Sequence, residues 1–536
     1  MCGPSHKLNM EKSQLTSEDD RILEQRLGYE QKMDRSFSRL SLLAMGFCVL
    51  NTWQALGATL SLALPSGGPS AILWGTVVST IGNTLLAISM AELTSAWPTS
   101  SGSYHWASQI IPQHKWYRPV VVWTIGWTNL ISWWMMMAAA TILASQCIME
   151  CVIILTNFSF EPARYQTWLV YVCLLIIAGL WNTFCIKLMP WYTRINLWWS
   201  IGAFFVFIIV LCATNDPSDR ATAHFTFAGF INEVGWTDGM AWLMGYVQTA
   251  GMCLTGYDSI VHMVEELPNP TVAAPFAIIY TPIIGGVTGF LFLVALLFQI
   301  ENVEDVSSAY IALGQIATNC AGKAGGIVLT LLIAIGLGVA SSLDTLTCSR
   351  MTYALARDRG FIFPEFFDSV NSRLKVPVRA IWISIMFVSA VGAIYVGSSY
   401  AFNSILGGNL IFITWSYVAP VLLLLIFGRE KLGPRPFNLG RWGYPINTVA
   451  VLYGLFASTL SFFPYVVPVE THTMNYVVVV VGSIYILLAI YWLTWARRTF
   501  VVPQMDIFIH DGEEVTDSTI SVEPKSADSL NGEATP

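Results

Sequence analysis

Long apolar runs recur along the chain, and short polar segments separate them. A transmembrane helix needs about 20 mainly apolar residues to cross a hydrocarbon core of about 30 Å, and these runs reach that length. The pattern therefore predicts an all-α integral membrane protein with twelve transmembrane helices. To within a few residues at each end, the predicted spans 1 to 12 cover 40–63, 71–93, 120–147, 168–186, 195–213, 238–266, 275–299, 325–347, 381–397, 400–427, 445–467 and 475–496.

Polar segments at the two ends divide the chain into three parts. Residues 1–39 are predicted to form an N-terminal tail, 40–497 the transmembrane domain, and 498–536 a disordered C-terminal tail. The first 39 residues lack the short apolar region and small-residue cleavage site of a secretory signal. Span 1 itself is therefore predicted to direct membrane insertion.

The composition excludes several classes of protein. Hydrophobic residues make up 54% of the chain and charged residues only 11%, whereas a soluble domain has about 25% charged residues. The net charge of −7 argues against a nucleic-acid partner. The ten cysteines lie mostly in apolar runs without a CxxC pair, which is typical of small buried side chains and predicts no metal site.

The distribution of Lys and Arg predicts the orientation. With twelve crossings, the connecting segments lie alternately on the side of the two tails and on the opposite side. Of the 27 basic residues, only Arg164, Arg220 and Lys323 lie in segments on the opposite side. Positive residues are retained in the cytoplasm, so both termini are predicted to be cytoplasmic. The expected location is the plasma membrane, with the vacuolar membrane as the alternative. Segment 94–119 is amphipathic and is predicted to lie along the inner membrane interface.

Span 6 contains the clearest candidate site. Thr255, Gly256 and Tyr257 are followed by Asp258 in an otherwise apolar run. Glycine permits a helix to unwind, and broken helices in membranes occur where protein or a water-filled cavity satisfies the freed backbone. We predict a break with Thr255, Gly256 and Tyr257 at a substrate site. An intramembrane carboxylate indicates proton coupling or gating at Asp258, although a carboxylate that is merely hydrated near the cytoplasm is the alternative.

Span 1 carries the polar sequence Asn51, Thr52, Trp53 and Gln54 at mid-depth. Polar side chains at this depth are satisfied by another helix or by a ligand. These four residues are therefore predicted to bind substrate at a second break. The alternative is an unbroken helix in which Asn51 and Gln54 bond to neighbouring helices.

Three further residues are candidates. Ser341 and Ser342 of span 8 offer hydroxyl oxygens to an ion such as sodium, although serine is also a common packing residue in membrane helices. Trp127 of span 3 is predicted to contact substrate, because an indole face attracts an organic cation. A membrane-interface role is the alternative for the tryptophans as a group.

Four motifs extend these predictions from single residues to a family. They are ISMAELTSAWPTSSGSYHWASQIIP after span 2, TGYDSIVHMVEELPNP at span 6, CSRMTYALARDRG after span 8 and FNLGRWGYPINTVAVLYGLFASTLSFFP leading into span 11. Together they resemble the fungal amino acid/choline transporter family of the amino acid, polyamine and organocation superfamily, including its choline and 4-aminobutyrate permeases. The resemblance runs from about residue 37 to residue 500.

The resemblance implies a leucine-transporter-type fold with two inverted five-helix repeats, two additional C-terminal helices and alternating access. It matches Asp258 to an acidic residue just past the span 6 break, and Ser341 and Ser342 to the hydroxyl pair near a sodium site. Two features depart from the superfamily pattern. Trp53-Gln54-Ala55 replaces its glycine-rich break in span 1, and span 5 lacks the lysine of some proton-coupled members. The coupling ion is therefore expected to be H⁺ or Na⁺, with no other cofactor.

The resulting prediction is a secondary active permease for a small amine-bearing solute, such as choline, 4-aminobutyrate or an amino acid. Its expected partners are this solute and the lipid bilayer, and the sequence leaves the oligomeric state open. A carrier for a fungal secondary metabolite or its precursor is one alternative, and a nutrient sensor without transport is another. An enzyme is not expected, because the histidines lie in tails, loops or helix ends such as that of His262.

Overall fold

A computed structural model describes residues 37–216, 218, 220–470 and 474–503. Most of the two predicted tails lies outside the described residues. Among those residues, ten helices are long and apolar enough to cross a membrane, and they correspond to predicted spans 1–5, 7–10 and 12. Their bounds are Arg39–Ala58, Gly68–Ala96, Arg118–Leu155, Arg164–Phe184, Ile186–Thr214, Pro270–Leu297, Ala312–Arg357, Val378–Gly397, Ser399–Phe427 and Val477–Thr499.

The other two predicted spans are shorter helices. Span 6 begins with the helix Asp238–Tyr246, continues as a π-helix over Val247–Gly251, and ends with the 3-10 helix Tyr257–Glu266. Span 11 is the helix Gly443–Leu460. The chain is thus an all-helical multi-pass membrane protein, while the count of twelve crossings and the inverted repeat stay predictions.

Several spans begin at a proline. Pro69, Pro119 and Pro270 occupy the first or second position of spans 2, 3 and 7. Pro190 is the second residue of the α-helix Met189–Thr214, which follows a short 3-10 helix at the start of span 5. Proline lacks an N–H group, and the N–H groups of the first helical turn have no partner within the helix, so proline fits there without loss of a hydrogen bond. These prolines place the helix starts two to six residues before the predicted ones.

Span 1 lies at the centre of the bundle. In an apolar stretch of 18 residues, 83% of the residues of span 1 are buried, whereas the corresponding share for span 12 is 17%. Span 1 packs against spans 5, 7 and 8 and against the segment Tyr257–Glu266 of span 6. Residues of span 1 therefore contact protein on all sides, and span 12 faces mainly lipid.

The prediction for segment 94–119 is wrong for its central part. The helix Ser103–Ile110 packs against spans 3 and 10, and Tyr104, His105 and Trp106 are fully buried. The indole of Trp106 donates to the carbonyl oxygen of Trp97 at 3.0 Å. The amphipathic pattern arises because this segment packs against the helical bundle rather than against lipid. We call the membrane side that holds this segment and the start of span 1 the tail side.

Candidate functional site

Span 1 is broken at Asn51. This residue has φ 46° and ψ 34°, a left-handed conformation, and separates the helices Arg39–Leu50 and Thr52–Ala58. Asparagine enters this conformation more readily than most residues that carry a side chain. The break is confirmed, so the alternative of an unbroken helix does not hold.

Span 6 is broken at Gly256. The backbone is non-helical at Thr255 and Gly256, and Gly256 has φ 104°, a conformation that favours glycine. The 3-10 helix that carries Asp258 starts at the next residue. The glycine signal in the sequence therefore marks a real interruption of the span.

The two breaks are neighbours in space. A Cβ atom built on Gly256 would lie 3.5 Å from the Cγ1 atom of Val49 in span 1. It would also lie 3.1 Å from the Cε atom of Met136 and 3.8 Å from the ring of Trp133, both in span 3. Gly256 thus allows spans 1, 3 and 6 to approach each other at the breaks.

A small cavity of about 10 Å³ lies beside the break in span 1, which is room for about one water molecule. Its lining includes Asn51 and Gln54 of span 1, Asn196 and Ser200 of span 5, and Gly336 of span 8. The Nδ2 atom of Asn51 and both amide atoms of Gln54 are buried without a hydrogen-bond partner among the described residues. These two predicted site residues therefore offer unused polar atoms to a small ligand.

Thr52 and Trp53 face other spans. The indole N–H of Trp53 donates to Ser200 of span 5 at 3.0 Å, and its ring packs edge-on to Phe292 of span 7 at 4.9 Å. Thr52 packs against Gly285 of span 7. Trp53 is accommodated because spans 5 and 7 form its pocket, and neither side chain points to the break in span 6.

Asp258 is buried among donors. Its Oδ2 atom accepts hydrogen bonds from Asn129 at 2.9 Å and from the Trp133 indole at 3.1 Å. Its Oδ1 atom accepts a hydrogen bond from the Tyr417 hydroxyl of span 10, and His262 Nε2 lies 3.4 Å from Oδ2. Asp258 is only 2% exposed, so in this conformation it is enclosed by protein rather than hydrated near the tail side.

The other span 6 candidates lie at the break just before Asp258. The N–H group of Gly256 donates to the Tyr417 hydroxyl at 3.1 Å, which joins the break directly to span 10. The rings of Tyr257 and Tyr417 lie 5.0 Å apart, and the Tyr257 hydroxyl is buried without a partner among the described residues. The Thr255 hydroxyl donates to the carbonyl oxygen of Met252 at 2.9 Å.

Ser341 and Ser342 bond to different spans. The Ser341 hydroxyl lies 2.6 Å from that of Thr141 in span 3. The carbonyl oxygen of Ser342 accepts a hydrogen bond from Asn182 of span 4 at 2.8 Å. One turn along the same helix, Asp344 is fully buried with no hydrogen-bond partner among the described residues. An ion site at the two serines stays a prediction.

Trp127 contacts the segment that follows span 8. Its indole N–H and that of Trp123 both donate to the carbonyl oxygen of Gly360 at 3.0 Å. Its ring stacks on Phe361 with centroids 5.3 Å apart. This arrangement holds the end of the CSRMTYALARDRG motif against span 3, and we do not place Trp127 in the candidate site.

Four residues of the site were not among the sequence candidates: Asn129, Trp133, His262 and Tyr417. Only His262 had a local signal, because it follows Asp258 by four residues in the same segment. Asn129 and Trp133 come from span 3 and Tyr417 from span 10, so only the tertiary fold brings them to Asp258.

Comparisons with known proteins find relatives along most of the chain. A family model described as amino acid permease matches residues 37–484. A putative amino acid/polyamine transporter of Macrophomina phaseolina is 33% identical, covering 81% of this chain and 96% of the relative. The choline transporter of Saccharomyces cerevisiae is 29% identical over 88% of this chain and 83% of its own length. Amino-acid permease 2 of Neurospora crassa is 28% identical, covering 91% of this chain and 90% of the relative.

These matches indicate a transporter of amino acids or similar solutes, not an enzyme. The family model covers most of the chain and includes both broken spans, and it ends within span 12. The chain belongs to the amino acid permease family.

Proposed function

We propose that the protein is a secondary active transporter that carries a small amine-bearing solute, namely choline, 4-aminobutyrate or an amino acid, by alternating access. The observation that carries this proposal is the juxtaposition of the two broken spans at Asn51 and Gly256. A break in a membrane helix frees backbone groups, and transporters of the inverted-repeat type use such groups to bind solutes and ions near mid-depth.

The chemistry around the breaks suits an amine. Trp133, Tyr257 and Tyr417 lie at the span 6 break and present aromatic rings, which attract organic cations. Unused polar atoms of Asn51 and Gln54 lie on the other side of span 1. The names of the relatives point the same way, because choline, amino acids and polyamines all carry an amine or ammonium group.

The proposal includes an architecture and an orientation. We infer twelve crossings, with spans 1–5 and 6–10 as inverted repeats and both termini in the cytoplasm. The tail side is then the cytoplasmic side, which agrees with the excess of Lys and Arg there. The plasma membrane is the proposed location. Solute enters between spans 1, 3 and 6 from outside, and rearrangement of the segment Tyr257–Glu266 opens the path to the cytoplasm.

Uptake of labelled solutes tests this function. In yeast cells that lack their own permeases, we expect saturable uptake of choline, 4-aminobutyrate or an amino acid. Gly256→Ala is expected to reduce uptake at least tenfold, because a side chain is strained at φ 104° and its Cβ would crowd Met136. Uptake is measured across pH values and with or without sodium.

The matched control is Gly338→Ala in span 8, where an added Cβ meets nothing within 4 Å. This variant is expected to transport like the wild type. The proposal is contradicted if the wild-type protein is present at the cell surface and none of the three solute classes enters, which is the behaviour of a nutrient sensor.

A further inference from the structure

Exposed aromatic and basic side chains meet where span 9 begins. Arg379 is the second residue of that span, its Cζ atom lies 4.1 Å from the ring centroid of Phe366, and its Nη1 atom donates to the carbonyl oxygen of Phe366 at 3.0 Å. Phe366 is 51% exposed, and Phe363 is 66% exposed. Asp358 of the same loop accepts a hydrogen bond from Tyr104 at 2.7 Å, so the loop lies on the tail side. These rings therefore lie where a membrane helix meets the polar interface of the bilayer.

A tight turn just before span 9 presents two more bases. The Oδ1 atom of Asn371 accepts hydrogen bonds from the backbone N–H groups of Arg373 and Leu374, both at 3.0 Å. The N–H group of Lys375 donates to the carbonyl oxygen of Asn371 at 2.8 Å. The side chains of Arg373 and Lys375 are exposed. Hydrogen bonds thus fix the backbone of the turn, while both charged side chains face outward.

The end of span 4 lies at the same level of the membrane. Gly179 of span 4 lies against Ile385 of span 9, and the hydroxyl of Tyr171 donates to the carbonyl oxygen of Val388 at 2.9 Å. These two contacts show that the spans are antiparallel neighbours, so the end of span 4 lies beside the start of span 9. The exposed base Lys187 follows the end of span 4 and therefore lies on the same edge of the tail side.

The bases of this edge have no acidic partner. Among the described residues none of them forms an ion pair, whereas four arginines elsewhere on the tail side each pair with a glutamate. The two acids of the loop, Glu365 and Asp368, form no ion pair with them either. We call this surface the basic edge, and it consists of Lys187, Phe363, Phe366, Arg373, Lys375 and Arg379.

We propose that the basic edge binds the headgroup of an anionic phospholipid from the leaflet on the tail side. A guanidinium group matches the geometry of a phosphate with two parallel hydrogen bonds, and lysine adds positive charge. The exposed rings of Phe363 and Phe366 offer apolar surface to the glycerol and acyl part of the same lipid. The cytoplasmic leaflet holds the anionic lipids of a cell membrane, which fits the orientation proposed above. This inference does not depend on which solute is transported.

Native mass spectrometry of the full-length protein, released from detergent micelles, counts the bound lipids. Phosphatidylserine and phosphatidylcholine with the same acyl chains are titrated separately, and we expect phosphatidylserine to bind at least about tenfold more tightly. Arg373→Gln combined with Lys375→Gln and Arg379→Gln is expected to lower the affinity for phosphatidylserine at least about tenfold. Each base near an anionic membrane surface contributes about fivefold to the affinity, and three are lost.

The matched control removes the same charge elsewhere on the tail side. Arg441 precedes span 11, while Arg497 and Arg498 end span 12, and all three are exposed. Their combined replacement by Gln is expected to change the affinity for phosphatidylserine by less than about twofold, because these bases lie outside the basic edge. An equal loss in both triple variants, or equal binding of phosphatidylcholine by the wild type, would overturn the proposal.

Phe363→Ser separates a lipid from a free phosphate ion. This variant keeps every charge and replaces a side chain that is 66% exposed, so the packed interior is undisturbed. We expect at least about threefold weaker binding of phosphatidylserine, because the apolar contact is lost. We also expect millimolar inorganic phosphate to leave the bound lipid in place. Unchanged affinity in Phe363→Ser, or displacement of the lipid by inorganic phosphate, would overturn the assignment of a lipid to this surface.

Discussion

Glu266→Ala is expected to destabilise the protein by about 3–5 kcal/mol, because it leaves the guanidinium of Arg350 buried without its partner. The Nε atom of Arg350 donates to the Oε1 atom of Glu266 at 2.7 Å, and the two side chains are 1% and 4% exposed. The backbone of Glu266 also accepts a hydrogen bond from the N–H of Phe37 before span 1. This pair therefore joins the tail-side ends of spans 1, 6 and 8.

The free energy of unfolding, measured by denaturation of the purified protein in mixed micelles, checks this expectation. The double variant Glu266→Met with Arg350→Met is expected to lose less stability than the single variant, because no unpaired charge remains. Glu430→Ala removes an exposed acid and is expected to change stability by less than about 0.5 kcal/mol. A single variant as stable as Glu430→Ala would show that the buried pair contributes little.

Asp258→Asn is expected to reduce uptake at least about 100-fold. The carboxylate accepts hydrogen bonds from Asn129, Trp133 and Tyr417 and faces His262. Asparagine is neutral, so the hydrogen bonds from Asn129, Trp133 and Tyr417 lose the charge of their acceptor. A loss of about 1 kcal/mol at each of the three bonds, which is the difference between a charged and a neutral acceptor, corresponds to at least this factor in an equilibrium between conformations.

The control is Asp238→Asn, which changes an exposed acid at the start of the same span and is expected to leave uptake unchanged. Initial rates are compared at equal amounts of protein on the cell surface and at several pH values. If Asp258→Asn transported at the wild-type rate with the same pH dependence, neither gating nor proton coupling could reside at Asp258.

The local features of the fold could be predicted from the sequence. Apolar length located the spans, and polar or glycine residues inside apolar runs identified the breaks at Asn51 and Gly256. These signals are local, because a broken membrane helix needs residues that tolerate unusual backbone angles. Asp258 was recognisable for a similar reason, since an acid inside an apolar run requires partners.

The partners of each side chain could not be predicted. Hydropathy shows that Trp53 and Trp127 are in the membrane domain, but it does not show that Trp53 packs between spans 5 and 7 or that Trp127 bonds to Gly360. Tyr417 is 159 residues from Asp258 in the sequence, and only the packing of span 10 brings them together. The position of segment 94–119 could not be predicted for the same reason. An amphipathic pattern shows that one face of a helix is apolar, but it does not show whether that face contacts lipid or protein.

The central claim is that the two breaks enclose a site that opens to either side of the membrane in turn. Cys253 lies in the non-helical region of span 6, is 8% exposed, and can serve as the only thiol once the other nine of the ten cysteines are replaced. The measurement is alkylation of Cys253 by a membrane-impermeant reagent, applied to the outer face in cells and to the inner face in inverted vesicles. We predict modification from both faces and protection by transported solute, whereas labelling from one face only, or from neither, under all conditions would contradict alternating access.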